Sequence, residues 1–187
     1  MSAAPDASSP ASAIVLPKLT WRRSPNQSSR HGERIDLLVW HETAGAYAGS
    51  VNWLCNPAAQ ASAHLVIRED GLAATQLVAL ADKAWHAVAF NPRSVGVEHA
   101  NTTAKGYATE HQLRVSARVF GWLCLHLGVP PRWARGGVGR GVCYHGELGA
   151  AGGGHYNCGP DHAGWLRFLD YLHAEVERGH YRDKWAR

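Results

Sequence analysis

The first concentrated apolar run along the chain, residues 35–41 (Ile-Asp-Leu-Leu-Val-Trp-His), predicts a buried strand that ends on a histidine. Ala48 to Cys55 predicts a short helix, stopped by Asn56-Pro57. Residues 62–68 (Ser-Ala-His-Leu-Val-Ile-Arg) predict a second strand, and the turn dipeptide Asp70-Gly71 leads into a third at 73–78. Ser94 to His99 alternates as a strand should. Thr109 and Gln112 form a capping box for a helix that runs to about Leu127, with Leu113, Val119, Phe120, Leu123 and Leu127 at helical spacing. Residues 130–156, rich in glycine, predict a long irregular loop, of the kind that is often functional in compact domains. Asp161 caps a last helix whose core face carries Trp165, Leu166, Leu169, Leu172 and Val176 and whose stop is Gly179. This order of elements predicts an α/β domain with helices packed on a mixed sheet.

At the amino-terminal end, residues 1–19 are rich in Ala, Ser and Pro, and residues 21–34 are polar loop material. The expected organisation is a flexible leader over 1–20, one domain over 21–179 whose ordered part begins at about Ile35, and a basic tail over 180–187. The leader lacks the basic start and apolar core of a secretory signal peptide.

Composition narrows the function classes. With 45% hydrophobic and 18% charged residues the chain can bury a core, which excludes wholesale disorder. No apolar run reaches the ~18 residues needed to cross a bilayer. A net charge of +4 favours anionic partners, yet the basic residues form no aromatic-interleaved stripe, so specific nucleic-acid binding is not expected. Cys55, Cys124, Cys143 and Cys158 contain no CxxC pair, and Cys55 and Cys124 are expected to be reduced, small core residues. The count of 12 histidines is about three times the usual share and raises the question of metal binding.

Position separates these rings. His41 ends a strand, where it is either a core-edge residue bonded to backbone or a ligand on a rigid platform. His145 and Cys158 bracket part of the glycine-rich loop, and with His41 they can hold a zinc ion with one open position. His64 lies within a strand as a core or pocket-lining residue, while His86, directly after Trp85, can face a groove. His111, His126, His162 and His173 lie on predicted helices, and His31, His99 and His180 carry no specific signal. Glu98 is an isolated carboxylate on a strand of small and apolar residues, so it is either paired with an arginine or used as a general base.

Taken in order, SPNQSSRHG, LLVWHETAG, NPAAQASAHLVIREDG, KAWHA, NPRSVGVEHAN and YHGELG…HYNCGPDHAGW resemble the zinc-dependent N-acetylmuramoyl-L-alanine amidases of the type-2 amidase and peptidoglycan-recognition-protein family, phage endolysins in particular. The resemblance covers about residues 22–175. It implies a mixed central β-sheet flanked by helices, with one catalytic Zn2+ at the sheet's groove held by His41, His145 and Cys158. It implies Glu98 as the catalytic carboxylate, and His64, Trp85 and His86 near the substrate. Three departures stand out. Tyr156, beside His155, occupies the position of a frequent family lysine, and either residue can donate to the developing oxyanion. Gly159-Pro160 replaces the usual Pro-Gly, and the gap between His145 and Cys158 is roomy.

The implied reaction is hydrolysis of the amide between N-acetylmuramic acid and L-alanine of the stem peptide. The partner is then peptidoglycan, met by a monomer made in a phage host's cytoplasm and acting at the wall. Two rivals are a non-catalytic peptidoglycan-binding module on the same fold and a zinc peptidase acting on the stem peptide. Arg132, Arg135, Arg140, Arg178, Arg182, Lys184 and Arg187 are either solvated surface charge or an attraction for anionic wall polymers or lipopolysaccharide.

Overall fold

A computed structural model describes residues 15–101, 108–179 and 185–186. Its centre is a six-stranded sheet built from β1 (Lys18–Trp21), β3 (Leu37–Glu42), β4 (Leu65–Ile67), β5 (Ala73–Gln76), β7 (Ser94–His99) and β8 (Gly141–Tyr144). The strand order is β1-β5-β4-β7-β3-β8, and only the β4–β5 pair is antiparallel. A second sheet pairs β2 (Gln27–Ser29) with β6 (Asp82–Ala84). The helices are α1 (Tyr47–Leu54), α2 (Glu110–Leu127) and α3 (His162–Arg178). The mixed α/β architecture expected from the sequence is therefore present.

Local chemistry explains the helix bounds. Thr109 and Gln112 form the reciprocal capping box of α2, and Gly128 ends that helix in the left-handed region. The Asp161 side chain accepts from the Gly164 N–H at the start of α3, and Gly179 ends it. The apolar faces of α2 and α3 pack together on one face of the sheet, where Leu38, Trp40, Val95 and Val97 meet Phe120, Leu123, Trp165 and Phe168. Trp40 is fully buried there, stacked on His99 with ring centroids 3.6 Å apart and edge-on to Phe168 at 5.0 Å.

Strand alternation assigns the other face to chemistry. Leu37 and Val39 point away from α2 and α3 into a smaller apolar cluster with Cys143 and Leu148, and His41 follows them at the same period. In the parallel register Leu37 lies beside Ser94, Val39 beside Gly96, and His41 beside Glu98. One face of β3 and β7 thus carries an apolar base that becomes polar toward the carboxyl ends of the strands, where open α/β sheets usually bind ligands.

The structure corrects several expectations. The ordered region begins well before Ile35: β1 pairs with β5, and its span contains the boundary expected at residue 20. The supposed polar loop 21–34 contains β2 and supplies buried Ser24, Asn26 and Arg30. Burial is tolerated because each is hydrogen-bonded; Arg30 donates to the carbonyls of Leu80, Asn91, Pro92 and Ser94. The glycine-rich stretch 130–156 contains β8, which pairs with β3 and is short enough to lack a readable period. Residues 1–14 and 180–184 with 187, including most of the expected leader and basic tail, lie outside the described residues.

Candidate active site and metal centre

Three strand ends and one loop build the site. His41 is the penultimate residue of β3. His145 directly follows β8, whose Tyr144 is in register with Trp40, so it emerges level with His41. Cys158 arrives from the loop before α3 and is held by two backbone contacts. The Gly146 N–H donates to its carbonyl oxygen at 2.6 Å, and the Glu42 N–H donates to its Sγ at 3.3 Å. Gly146 is required by this close approach, because a Cβ there would sit 2.7 Å from the Tyr156 carbonyl oxygen and 3.0 Å from that of Cys158.

One ligand atom from each of His41, His145 and Cys158 lies within 4.8 Å of the others. His41 and His145 are buried, and Cys158 is half-buried. Two imidazoles and a thiol are a donor set that suits zinc. The hydrogen bonds also fit. His145 Nε2 lies 2.8 Å from the Gly152 carbonyl, which can only accept, so Nε2 carries the proton and Nδ1 keeps its lone pair. Burial, reinforced by the neighbouring imidazoles His145 and His86, holds His41 well below the usual histidine pKa, and burial also lowers His145. Both shifts favour the neutral ring that metal ligation requires.

Glu98 sits beside this trio, with Oε1 3.9 Å from His41 Nδ1. Its side chain is 14% exposed, and Oε2 is buried without a hydrogen-bond partner among the described residues. Burial first, and the charge of Glu42 second, push its pKa up to about 8. Of the two readings open from the sequence, no arginine pairs with Glu98 among the described residues, and Glu98 lines the cavity.

That cavity has a volume of about 540 Å³, and its lining includes Trp53, Trp85, Glu98, His155 and Tyr156 as well as His41, His145 and Cys158. Trp85 is positioned by its indole N–H, which donates to Ser28 Oγ at 3.1 Å. Tyr156 and His155 in that lining are exposed, and the His155 ring lies 5.0 Å from that of His145. His86 lines the cavity but is engaged at both nitrogens, by His41 and Ser94. His64 does not reach the groove: it is fully buried, with Nδ1 accepting from the Gly96 N–H at 3.0 Å. Five histidines thus form one row, His64, His86, His41, His145 and His155, with neighbouring centroids 4.3–5.7 Å apart.

Other sequence-singled residues have structural roles. His99 Nδ1 donates to the His41 carbonyl at 2.8 Å, bracing the strand end. Arg132 and Arg140 donate to carbonyls of the Arg140 and Gly128 residues respectively, and Arg135 lies over the Trp133 ring. Arg178 pairs with Glu175. No disulfide forms among the four cysteines; Cys124 and Cys143 are buried, whereas Cys55 is half-buried. Trp53 and Gly146 were not anticipated. A helical tryptophan and a glycine after a histidine carry no local signal of their own.

The sequence profile of the family described as N-acetylmuramoyl-L-alanine amidase matches residues 31–161. N-acetylmuramoyl-L-alanine amidase A of Achromobacter lyticus is 35% identical over 107 residues, which are 57% of this chain and 60% of that protein. The match therefore spans less than two thirds of that relative. The fold is shared with the hydrolase AmiA of Staphylococcus aureus, solved with its ligand, at a TM-score of 0.70 and 17% identity over 90% of this chain and 89% of that one. It is shared too with the amidase LysC of Clostridium intestinale, at 0.61 and 14% over 84% and 98%.

Proposed function

From the premise that this chain belongs to the N-acetylmuramoyl-L-alanine amidase family, we propose that it hydrolyses the amide between the lactyl group of N-acetylmuramic acid and L-alanine of the stem peptide. The observation that carries this reading is the convergence of His41, His145 and Cys158 within 4.8 Å, with Glu98 beside them in an open groove.

His41, His145 and Cys158 would hold one zinc ion. When bound, the ion polarises the scissile carbonyl and makes a water molecule more acidic. Glu98 accepts the proton of the attacking water and later delivers one to the leaving amine of L-alanine. Burial raises the proton affinity of this carboxylate, which strengthens it as a base. Tyr156 and His155, exposed on the wall, are the available donors to the oxyanion. Trp53 and Trp85 offer flat apolar surfaces to the substrate.

Action at the bacterial wall as an endolysin-type lytic enzyme is the setting we propose, and the retained ligand set argues against a pure binding module. Among the described residues no helix is long and apolar enough to cross a membrane. The test is digestion of purified peptidoglycan with and without a chelator, followed by product masses. Stem peptides with a free L-alanine amino terminus, lost on chelation and recovered with zinc, are expected. Fragments that keep the lactyl–alanine link would overturn the amidase assignment in favour of a peptidase, and no release at all would favour a binding module.

A further inference from the structure

We propose that His86 and Ser94 act as positioning residues that hold His41 in the tautomer whose Nδ1 is bare and directed to the metal site. The proposal rests on the reading of His41 as a ligand, and it follows from the direction of a hydrogen-bonded row. At one end stands the Phe90 carbonyl oxygen, which can only accept, and the Ser94 hydroxyl donates to it at 2.7 Å. A hydroxyl has one proton, so Ser94 Oγ must accept from its other neighbour, His86 Nε2, 3.1 Å away. His86 has no carboxylate ion-pair partner among the described residues that would hold a second proton. With Nε2 protonated, its Nδ1 is an acceptor. His41 Nε2 lies 2.9 Å from that Nδ1 and therefore donates. The remaining nitrogen of His41, Nδ1, keeps its lone pair on the side of Glu98.

The fold builds this row deliberately close to the sheet. Ser94, Gly96 and Glu98 share one face of β7 beside Leu37, Val39 and His41. The His86 ring lies flat against Gly96, where a Cβ would come within 2.6 Å of both its Cγ and its Nδ1. The Asn91 side chain fixes the backbone below the ring by accepting from the His86 N–H at 3.0 Å and the Ala87 N–H at 2.6 Å. A metal-ligating histidine ordinarily has its second nitrogen fixed by a carbonyl or carboxylate. Here His145 follows that pattern through Gly152, while His41 uses another imidazole, whose own direction is dictated two bonds away.

The experiment combines side-chain tautomers with zinc affinity. Long-range proton–nitrogen spectra of the metal-free, histidine-labelled chain should show both His41 and His86 protonated at Nε2. In His86→Leu, His41 should populate the Nδ1-protonated form, and zinc binding, read by chelator competition, should weaken about 10- to 100-fold. His86→Asn, whose carbonyl can accept from His41 Nε2, should recover most of the affinity. Ser94→Ala removes one oxygen and should release the His86 tautomer; it decides the matter if His86→Leu does not fold. Wild-type His86 protonated at Nδ1 overturns the row. So does a folded His86→Leu with His41 still at Nε2 and unchanged zinc affinity. A wild-type chain that shows the expected tautomers but binds no zinc refutes the metal centre while leaving the row standing.

Discussion

Replacing Gly146 with alanine tests whether the segment carrying Cys158 is clamped to the residue after His145. The added Cβ would lie 2.7 Å from the Tyr156 carbonyl oxygen and 3.0 Å from that of Cys158. Both atoms are backbone, so no side-chain rotation relieves the contact. The segment must retreat by about 0.7 Å to regain ordinary carbon–oxygen spacing. That retreat lengthens the 2.6 Å bond from Gly146 N–H to the Cys158 carbonyl. Its loss costs about 1 kcal/mol, and overpacking at a rigid site adds ~1–3 kcal/mol. A total of about 2–4 kcal/mol lowers the melting temperature of a chain this size by roughly 4–15 °C. Because Cys158 moves relative to His41 and His145, zinc affinity should fall by about 10- to 100-fold. Thermal unfolding of the metal-free chain and chelator competition of the loaded one measure the two effects separately. A variant with wild-type melting and wild-type zinc affinity would refute the clamp.

Glu98→Gln should keep zinc and fold but lower kcat by ~10²–10⁴-fold, the usual contribution of a positioned general base; elemental analysis beside a turnover assay checks it, and a fully active variant removes Glu98 from the mechanism. Tyr156→Phe and His155→Gln separate the two oxyanion donors: the true donor should cost kcat more than KM, by about 10²-fold or more, and a loss confined to KM in both variants would exclude them. Acid should destabilise the metal-free chain through its buried histidines. Burial lowers His64 and His99 to about 3, so below pH 6.5 the unfolded chain binds protons that the folded one refuses. Stability is then fully present above pH 6.5 and falls as pH drops toward 3, by up to about 1.4 kcal/mol per pH unit for each ring. Urea unfolding at several pH values should show a shallower slope for His64→Gln, and an identical slope would contradict the assignment.

Much of this protein is written locally. The ends of α2 and α3 follow from Thr109–Gln112, Gly128, Asp161 and Gly179, whose capping preferences act within a few residues. The strand Ser94–His99 appears in the structure with the bounds its alternation predicts. His41 and Glu98 also stand out in the linear chain, since a strand-end histidine and a carboxylate on an apolar strand conflict with their surroundings unless they are used, whereas His145 and Cys158 are singled out by the motif YHGELG…HYNCGPD and not by any readable element. The early strands were different. β1 and β2 are only four and three residues long, and their stability comes from β5 and β6, more than fifty residues away.

What the chain determines by itself, then, is which residues are chemically conspicuous and where its long helices begin and end. Only the tertiary structure decided what the conspicuous residues do to one another. His64 and His86 look alike in sequence, each a histidine near apolar neighbours. The register of β4 and β7 places His64 under the sheet's cover with Gly96, whereas the loop before β7 turns His86 onto His41. Gly146 and Gly96 are visible as glycines in any reading, but the reason for them is the approach of a distant backbone and of a ring. Such contacts depend on parallel pairing and loop closure between remote segments, which no local preference encodes.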